Sequence, residues 1–426
     1  MGLSKSDRRV ILDYLRATEN EIAVDRVGYD SCGITPAQAG YLPRPSKWFH
    51  KAGSRLPVLK MGGCALSVIW PRGLAAIFGA VEFLLFLVHM KFKAGGPSRA
   101  IPQAVYGLGF SSRAAEVIRG DAFPSPPTCW LTLPWVPLVT PAAARQVNAL
   151  SLLRFRDLLA AYLLAMRAIR VMSRYRPTAP WILQTYTAFR WFAVRAALAK
   201  ISAPFWMAEH FDRWAVLADS VVWRRGLLAG KGDAPRLVLV QHGIVGVPSE
   251  AAEEDLPFSL SYKLKAVDAL YVYDHSSSAI FKEKILGRRA AATVNVQFFK
   301  PSLLLSDGRR AGKFGILFVG NPVCERLHLF LYDRLRHYPD IQVFYKPHPT
   351  SAASNNVKSE SWEFISDKTW YPNVDLLIAY PSTLVTEYAV FEVDALIHPL
   401  NLEVQNAESF LRSVESRLEL RNTIQH

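Results

Sequence analysis

The sequence predicts an α/β protein with two Rossmann-like parallel-sheet domains and a helix-rich N-terminal half. Three observations carry that expectation. A chain of 426 residues is too long for one ordinary core and suits about two domains. From residue 236 onward, short β-rich runs alternate with windows of helical period, the pattern of parallel sheets covered by helices on both faces. Between residues 148 and 200, apolar residues recur at helical spacing among arginines and aromatics. Half of the residues are apolar and 20% are charged, which excludes a disordered chain.

In chain order, residues 1–60 mix Gly, Pro and aromatics without a clear period. The opening MGLSKSDRRVILDYLRATENE is polar and amphipathic, so no signal peptide is expected, and Gly2 with Ser6 makes only a loose myristoylation pattern. Residues 73–93 form an apolar segment with Glu82 near its middle and Lys91 and Lys93 at its end. A spanning helix wants about 20 apolar residues and tolerates a central carboxylate poorly. A buried or interfacial helix is the expectation, its basic flank on anionic headgroups. Residues 95–103 are a breaker cluster, AVYGLGF (104–110) a short strand, and SSRAAEVIRG (111–120) a helix with a serine cap. The Pro-rich FPSPPTCWLTLPWVPLVTP (123–141) reads as a long ordered loop. Helices are expected over 148–176 and after Pro180. Strands follow at 236–243, 268–274, 293–299, 314–320, 341–347, 374–381 and 394–400. The domain boundary is placed at residue 300, giving domains of residues 1–300 and 301–426.

The formal charge of +14 favours a polyanionic partner: a nucleotide-linked substrate, an anionic membrane face, an acidic polymer or nucleic acid. Nucleic acid is the poorest fit, because the basic residues are spread along the chain. Cys32, Cys64, Cys129 and Cys324 lie far apart, with no CxxC and no metal spacing, and read as core thiols of a reducing compartment.

In open parallel sheets, ligands bind beyond the carboxyl ends of the strands. Three of these strand ends carry unusual polar groups. Lys346-Pro347-His348-Pro349 ends the first, where prolines fix the backbone and a lysine and histidine can meet a phosphate or carboxylate. The same residues suit a rigid turn. Tyr380-Pro381-Ser382-Thr383 ends the second, where a helix start and two hydroxyls can hold an anion. Ser382 there is equally an N-cap. Glu387, one turn on, can reach a sugar or ribose hydroxyl or remain a solvated carboxylate. Gln241-His242-Gly243 ends the third, with His242 a candidate general base and Gln241 and Gly243 candidate ligand contacts. Upstream, Glu209 and Asp212 lie near a strand-to-helix junction as rival bases.

A QHG strand end, a KPHP strand end and a Pro-Ser-Thr helix start backed by a glutamate, in that order, resemble bacterial glycosyltransferases of the two-Rossmann (GT-B) architecture. The likeness is to capsular-polysaccharide transferases that handle CMP-linked Kdo or sialic acid, and to CDP-glycerol glycerophosphotransferases. It covers residues 205–410, and the acidic-acidic-Gly motif of polysialyltransferases is not evident. The resemblance implies that His348 contacts a CMP-like moiety, that Lys346 adds positive charge, and that Ser382 and Thr383 cap the donor phosphate. His242 would face the acceptor. The implied reaction is sugar transfer from a nucleotide donor to a lipid-linked or polyanionic glycan acceptor, with the protein cytoplasmic and peripheral to the inner membrane surface. No cofactor beyond the nucleotide-sugar substrate and no metal is expected, because no DxD stands between the strands. The alternatives are a sugar-nucleotide epimerase and a non-catalytic basic scaffold of the envelope machinery.

Overall fold

A computed structural model describes residues 4–31, 68–93, 104–118, 126–136, 144–176, 179–228, 236–243, 259–300, 305–348, 353–367 and 370–424, with a few single positions between them. Cys32, Cys64, Pro349 and most of the breaker cluster at 95–103 fall outside the described residues. The chain forms two compact units, the first built chiefly on residues up to His242 and from Pro257 to Phe299, the second on Lys300–His426.

The first unit holds a seven-stranded sheet of β1 (Tyr106–Gly109), β2 (Cys129–Thr132), β3 (Arg145–Asn148), β4 (Phe205–Met207), β5 (Leu237–Val240), β6 (Val267–Val272) and β7 (Asn295–Phe298). Every pair is parallel and the order is 3-2-1-4-5-6-7. Parallel strands covered on both faces read as continuous apolar runs, and β5 (LVLV) is buried throughout. Gly107 in β1 has a packing reason: a Cβ there would stand 2.7 Å from the Trp130 ring.

The helices of this unit are α1 (Lys5–Ser31), α2 (Leu74–Lys93), α3 (Ser112–Ile118), α4 (Phe155–Tyr175), α5 (Ala179–Leu183), α6 (Ala188–Leu198), α7 (Arg213–Leu228), α8 (His275–Ile280) and α9 (Arg288–Thr293). α1 corrects the expectation of no clear period over 1–60. It buries Val10, Ile11, Tyr14 and Ala17, and the Tyr14 ring packs on Trp191 and Phe192 of α6. Asn20 and Glu21, also on α1, brace the β4–α7 connection. The Asn20 amide donates to the Phe211 carbonyl at 3.0 Å, and Glu21 Oε1 accepts from the Arg213 amide at 2.9 Å and its Nε at 2.8 Å. Two further corrections concern the sheet. β2 lies inside the Pro-rich stretch expected to be loop, and β3 was not anticipated because Arg145 and Gln146 are exposed on an edge strand. The helix expected after Pro180 is interrupted by a 3₁₀ turn at Gln184–Thr187.

Among the described residues no helix is long and apolar enough to cross a membrane. α2 takes up the apolar segment instead. It turns Glu82 inward, 3% exposed, where Arg190 Nε donates to the carboxylate at 2.7 Å. α2 packs on α4 through Phe83 stacked on Tyr162, with ring centroids 5.1 Å apart.

The second unit holds a five-stranded parallel sheet of β9 (Phe314–Val319), β10 (Ile341–Lys346), β11 (Glu363–Phe364), β13 (Leu376–Ala379) and β14 (Asp394–Ile397), in the order 11-10-9-13-14. Short β8 (Leu305–Ser306) and β12 (Tyr371–Pro372) pair separately. The helices are α10 (Glu325–Leu335), α11 (Asn355–Ser359), α12 (Thr383–Ala389) and α13 (Glu408–Ile424). The two-residue period of a strand sends Ile316, Phe318, Val343, Tyr345 and Ile378 into one core with Leu327, Leu331, Leu411 and Val414. Leu317, Val319, Phe344, Leu377 and Ala379 enter the other, against Tyr388. Helices therefore cover both faces, and both sheets share the doubly wound order in which the strand sequence reverses beside the first strand.

Candidate functional site

In the first unit the strand order reverses between β1 and β4, where a doubly wound sheet opens its ligand crevice. β1 ends at Gly109 and the chain reaches Ser111 just before α3. β4 ends at Met207 and is followed by Ala208, Glu209, His210 and Asp212. The two strand ends meet through one hydrogen bond, Ser111 Oγ donating to Glu209 Oε1 at 3.0 Å. Glu209 is 3% exposed and its Oε2 has no hydrogen-bond partner. A buried carboxylate that lacks solvation favours its neutral form. Burial first, and then the charge of Asp212, push Glu209 up to about 8, partly offset by the Ser111 hydroxyl and by backbone amides.

Asp212, the second acidic candidate, is placed differently. Its Oδ1 accepts from the Trp214 amide at 2.7 Å and the Ala215 amide at 3.0 Å, so it caps the N-terminus of α7. Burial and the Glu21 carboxylate raise it to about 6. A carboxylate spent on two amides is the poorer base of the two.

β5, the neighbour of β4, brings His242 alongside. Its Nδ1 meets the Ala208 carbonyl. A carbonyl only accepts, so the ring proton is on Nδ1 and Nε2 becomes the accepting nitrogen. The His242 amide donates to His210 Nε2 at 3.0 Å, and the two rings lie 4.5 Å apart. Burial, and secondly His242, hold His210 well below the ordinary histidine value, so it stays neutral and fixes its neighbour's backbone. Gln241 is 1% exposed and bridges β5 to β6: its Nε2 donates to Ser277 Oγ at 3.1 Å and its Oε1 accepts from the Tyr273 amide at 2.9 Å. Those bonds make it a support for His242. Gly243 has φ +82°, in the region where glycine is strongly favoured, so the strand turns sharply there.

In the second unit the reversal lies between β9 and β13. Ser382 follows β13, and its Oγ accepts from the Leu384 amide at 3.4 Å as the N-cap of α12. Thr383 and Glu387 are half-buried on that helix, which is only seven residues long. Lys346 ends β10 as a buried cation, 7% exposed. Its Nζ donates to the carbonyls of Trp370 at 2.8 Å and Asp367 at 3.2 Å, and lies 4.1 Å from the Tyr371 ring centroid. Burial lowers it to about 8. His348, two residues on, is half-buried.

Within the first unit the structure brings Glu209, Asp212 and His242 together, and it adds Ser111 and His210. The sequence showed both in plain view, one as an expected helix cap and one between two acidic candidates. Their roles depend on which strand lies beside β1, and no local pattern carries that. No protein-family model matches the chain, and comparison with curated protein sequences finds no match.

Proposed function

We propose that the chain is a glycosyltransferase that moves a sugar from a nucleotide donor, CMP-linked in the first place, to a lipid-linked or polyanionic acceptor in surface-polysaccharide synthesis. The observation that carries this reading is Glu209: a buried carboxylate with one unpartnered oxygen and a raised pKa, at the end of a strand where a doubly wound sheet binds ligand. Such a group removes the proton from an acceptor hydroxyl as the oxygen attacks the anomeric carbon. The C–O bond forms on the acceptor and the bond to the donor phosphate breaks. The proton remains on Glu209 and the nucleotide leaves with both electrons of the broken bond. His242, with its Nδ1 on the Ala208 carbonyl, is the second candidate base in the same unit.

Donor binding belongs in this reading to the second unit, where His348 and the Ser382 and Thr383 hydroxyls follow two strand ends. Lys346 already serves two carbonyls and an aromatic face, so its part is to position Asp367, Trp370 and Tyr371. The α2 surface supports a membrane-bound acceptor. Ile77, Val81, Leu84, Leu85 and Val88 make one stripe, 47–61% exposed. Phe155, Leu159 and Leu163 extend an exposed apolar face along α4, beside the exposed Arg154 and Arg156. Apolar side chains rimmed by arginines match an anionic lipid surface.

The test is nucleotide release from CMP-, CDP-, UDP- and GDP-linked sugars, with and without lipid extracts as acceptor. Acceptor-dependent release of one nucleotide is expected, reduced on the order of 10²–10⁴-fold in Glu209→Gln. No release by folded protein with any donor and extract rejects the reading. Acceptor-free interconversion of the donor would instead establish the epimerase.

A further inference from the structure

One cluster in the second unit takes no part in the reading above. Cys324 and His328 stand four residues apart on one side of the α10 start, and His398 follows the end of β14. All three are buried, Cys324 at 1% exposure and both histidines at 0%. The two Nε2 atoms are 2.9 Å apart, Cys324 Sγ is 4.0 Å from His328 Nδ1, and one donor atom from each residue lies within 4.8 Å of the others. The imidazole rings meet edge to face, 81° between planes.

From this arrangement we propose that Cys324, His328 and His398 form a binding site for a thiophilic divalent ion of the zinc class. Three features support it. One thiolate and two imidazoles are the borderline-soft set that zinc selects over calcium or magnesium. A residue pair at i and i+4 of a helix presents two ligands to one point, as in the paired histidines of helical zinc motifs. The His398 Nδ1 proton is anchored on the Pro399 carbonyl at 2.8 Å, which turns its Nε2 lone pair toward the cluster. Ligating histidines commonly carry such an anchor on the other nitrogen.

Zinc–ligand distances of about 2.0–2.3 Å put neighbouring donor atoms about 3.3–3.6 Å apart, a shift of at most about 1.5 Å from the separations seen here. On binding, the Cys324 thiol releases its proton. If His328 ligates through Nε2, its ring proton moves to Nδ1. The ion would tie the β9–α10 turn to the end of β14, on either side of β13 in the sheet order. This site is independent of sugar transfer, and it stands or falls without it.

The wild-type full chain is the first sample. Elemental analysis after gel filtration should give about one zinc per chain, and the apo protein with added Co²⁺ should show a thiolate-to-cobalt absorption band. Cys324→Ser should lose that band and His398→Gln should weaken zinc binding on the order of tenfold or more, while nucleotide binding persists in both. Folded wild-type protein, judged by its circular dichroism and melting transition, that takes up neither zinc nor cobalt overturns the proposal. So does a cobalt band that persists in Cys324→Ser. The wild-type result decides even if a variant fails to fold. In the overturned case the trio is a hydrogen-bonded relay from the thiol through His328 and His398 to the Pro399 carbonyl.

Discussion

Glu209 places a carboxyl where water does not solvate it, with the Ser111 hydroxyl on one oxygen and no hydrogen-bond partner for the other. Its raised pKa links activity to pH in one direction. The base form is needed for transfer, so the acceptor-dependent rate should climb with pH and level off above about 8. That limb should vanish in Glu209→Gln. Stability runs the opposite way. A carboxyl whose folded pKa exceeds its unfolded value of 4.5 contributes stability that is complete below 4.5 and is lost as pH rises through about 8. Glu209→Gln should therefore flatten the fall in melting temperature across that window, read by thermal denaturation at several pH values. Ser111→Ala removes a hydrogen bond that favours the ionised form, so its rate limb should move to higher pH. A merely structural Ser111 would leave the limb in place. At this scale the sequence showed Glu209, Asp212 and His242 as candidates, because unusual polar groups at strand ends are visible in one dimension. It set His242 first, with the two carboxylates as rivals. The order set by the structure depends on Asp212 being spent on two amides and on one Glu209 oxygen having no partner, and both facts arise only when α7 and β1 are in place.

Among the elements, α2 shows how one helix can be read two ways. Its apolar composition suggests a membrane or a core, and the structure gives one face to the core and leaves the other bare. Glu82 on the inner face is paired with Arg190, so the central carboxylate is accommodated inside protein. Arg190→Met leaves that carboxylate buried without its cation and should cost about 3–5 kcal/mol in urea denaturation, since an uncompensated buried charge is strongly unfavourable. On the outer face, Leu84→Glu with Leu85→Glu should leave the melting temperature within a few degrees of wild type and abolish binding to phosphatidylglycerol vesicles. Retained vesicle binding would reject the lipid surface as the occupant of this face. β9, β10, β13 and β14 were legible because buried parallel strands are continuous apolar runs bounded by turns, whereas β8, β11 and β12, two residues each, were not. β2 and β3 were not: prolines flank the one, and polar edge residues make up the other. α1 escaped although Val10, Ile11, Tyr14 and Ala17 form its buried stripe, because the polar contacts of Asn20 and Glu21 and the Gly, Pro and aromatic mixture that follows it blur the period.

At the scale of the whole molecule, both sheets are parallel and each reverses its order beside its first strand. The alternation of strands and helices announced that architecture for the second unit. In the first, only β1 and the strands from residue 236 onward stood out, and the missing ones had to come from tertiary pairing. Two units with separate cores predict calorimetric unfolding that departs from a single two-state transition, with a calorimetric enthalpy above the van't Hoff value. The central claim is that this architecture binds a nucleotide-linked donor through the strand ends of the second unit. Isothermal titration of the purified chain with CMP, CDP, UDP and GDP, repeated with His348→Ala, tests it most directly. The account predicts tight binding of one nucleotide, weakened about tenfold or more by the substitution, equivalent to about 1.4 kcal/mol. Folded protein that binds none of the four, or binds one with undiminished affinity after His348→Ala, would contradict it.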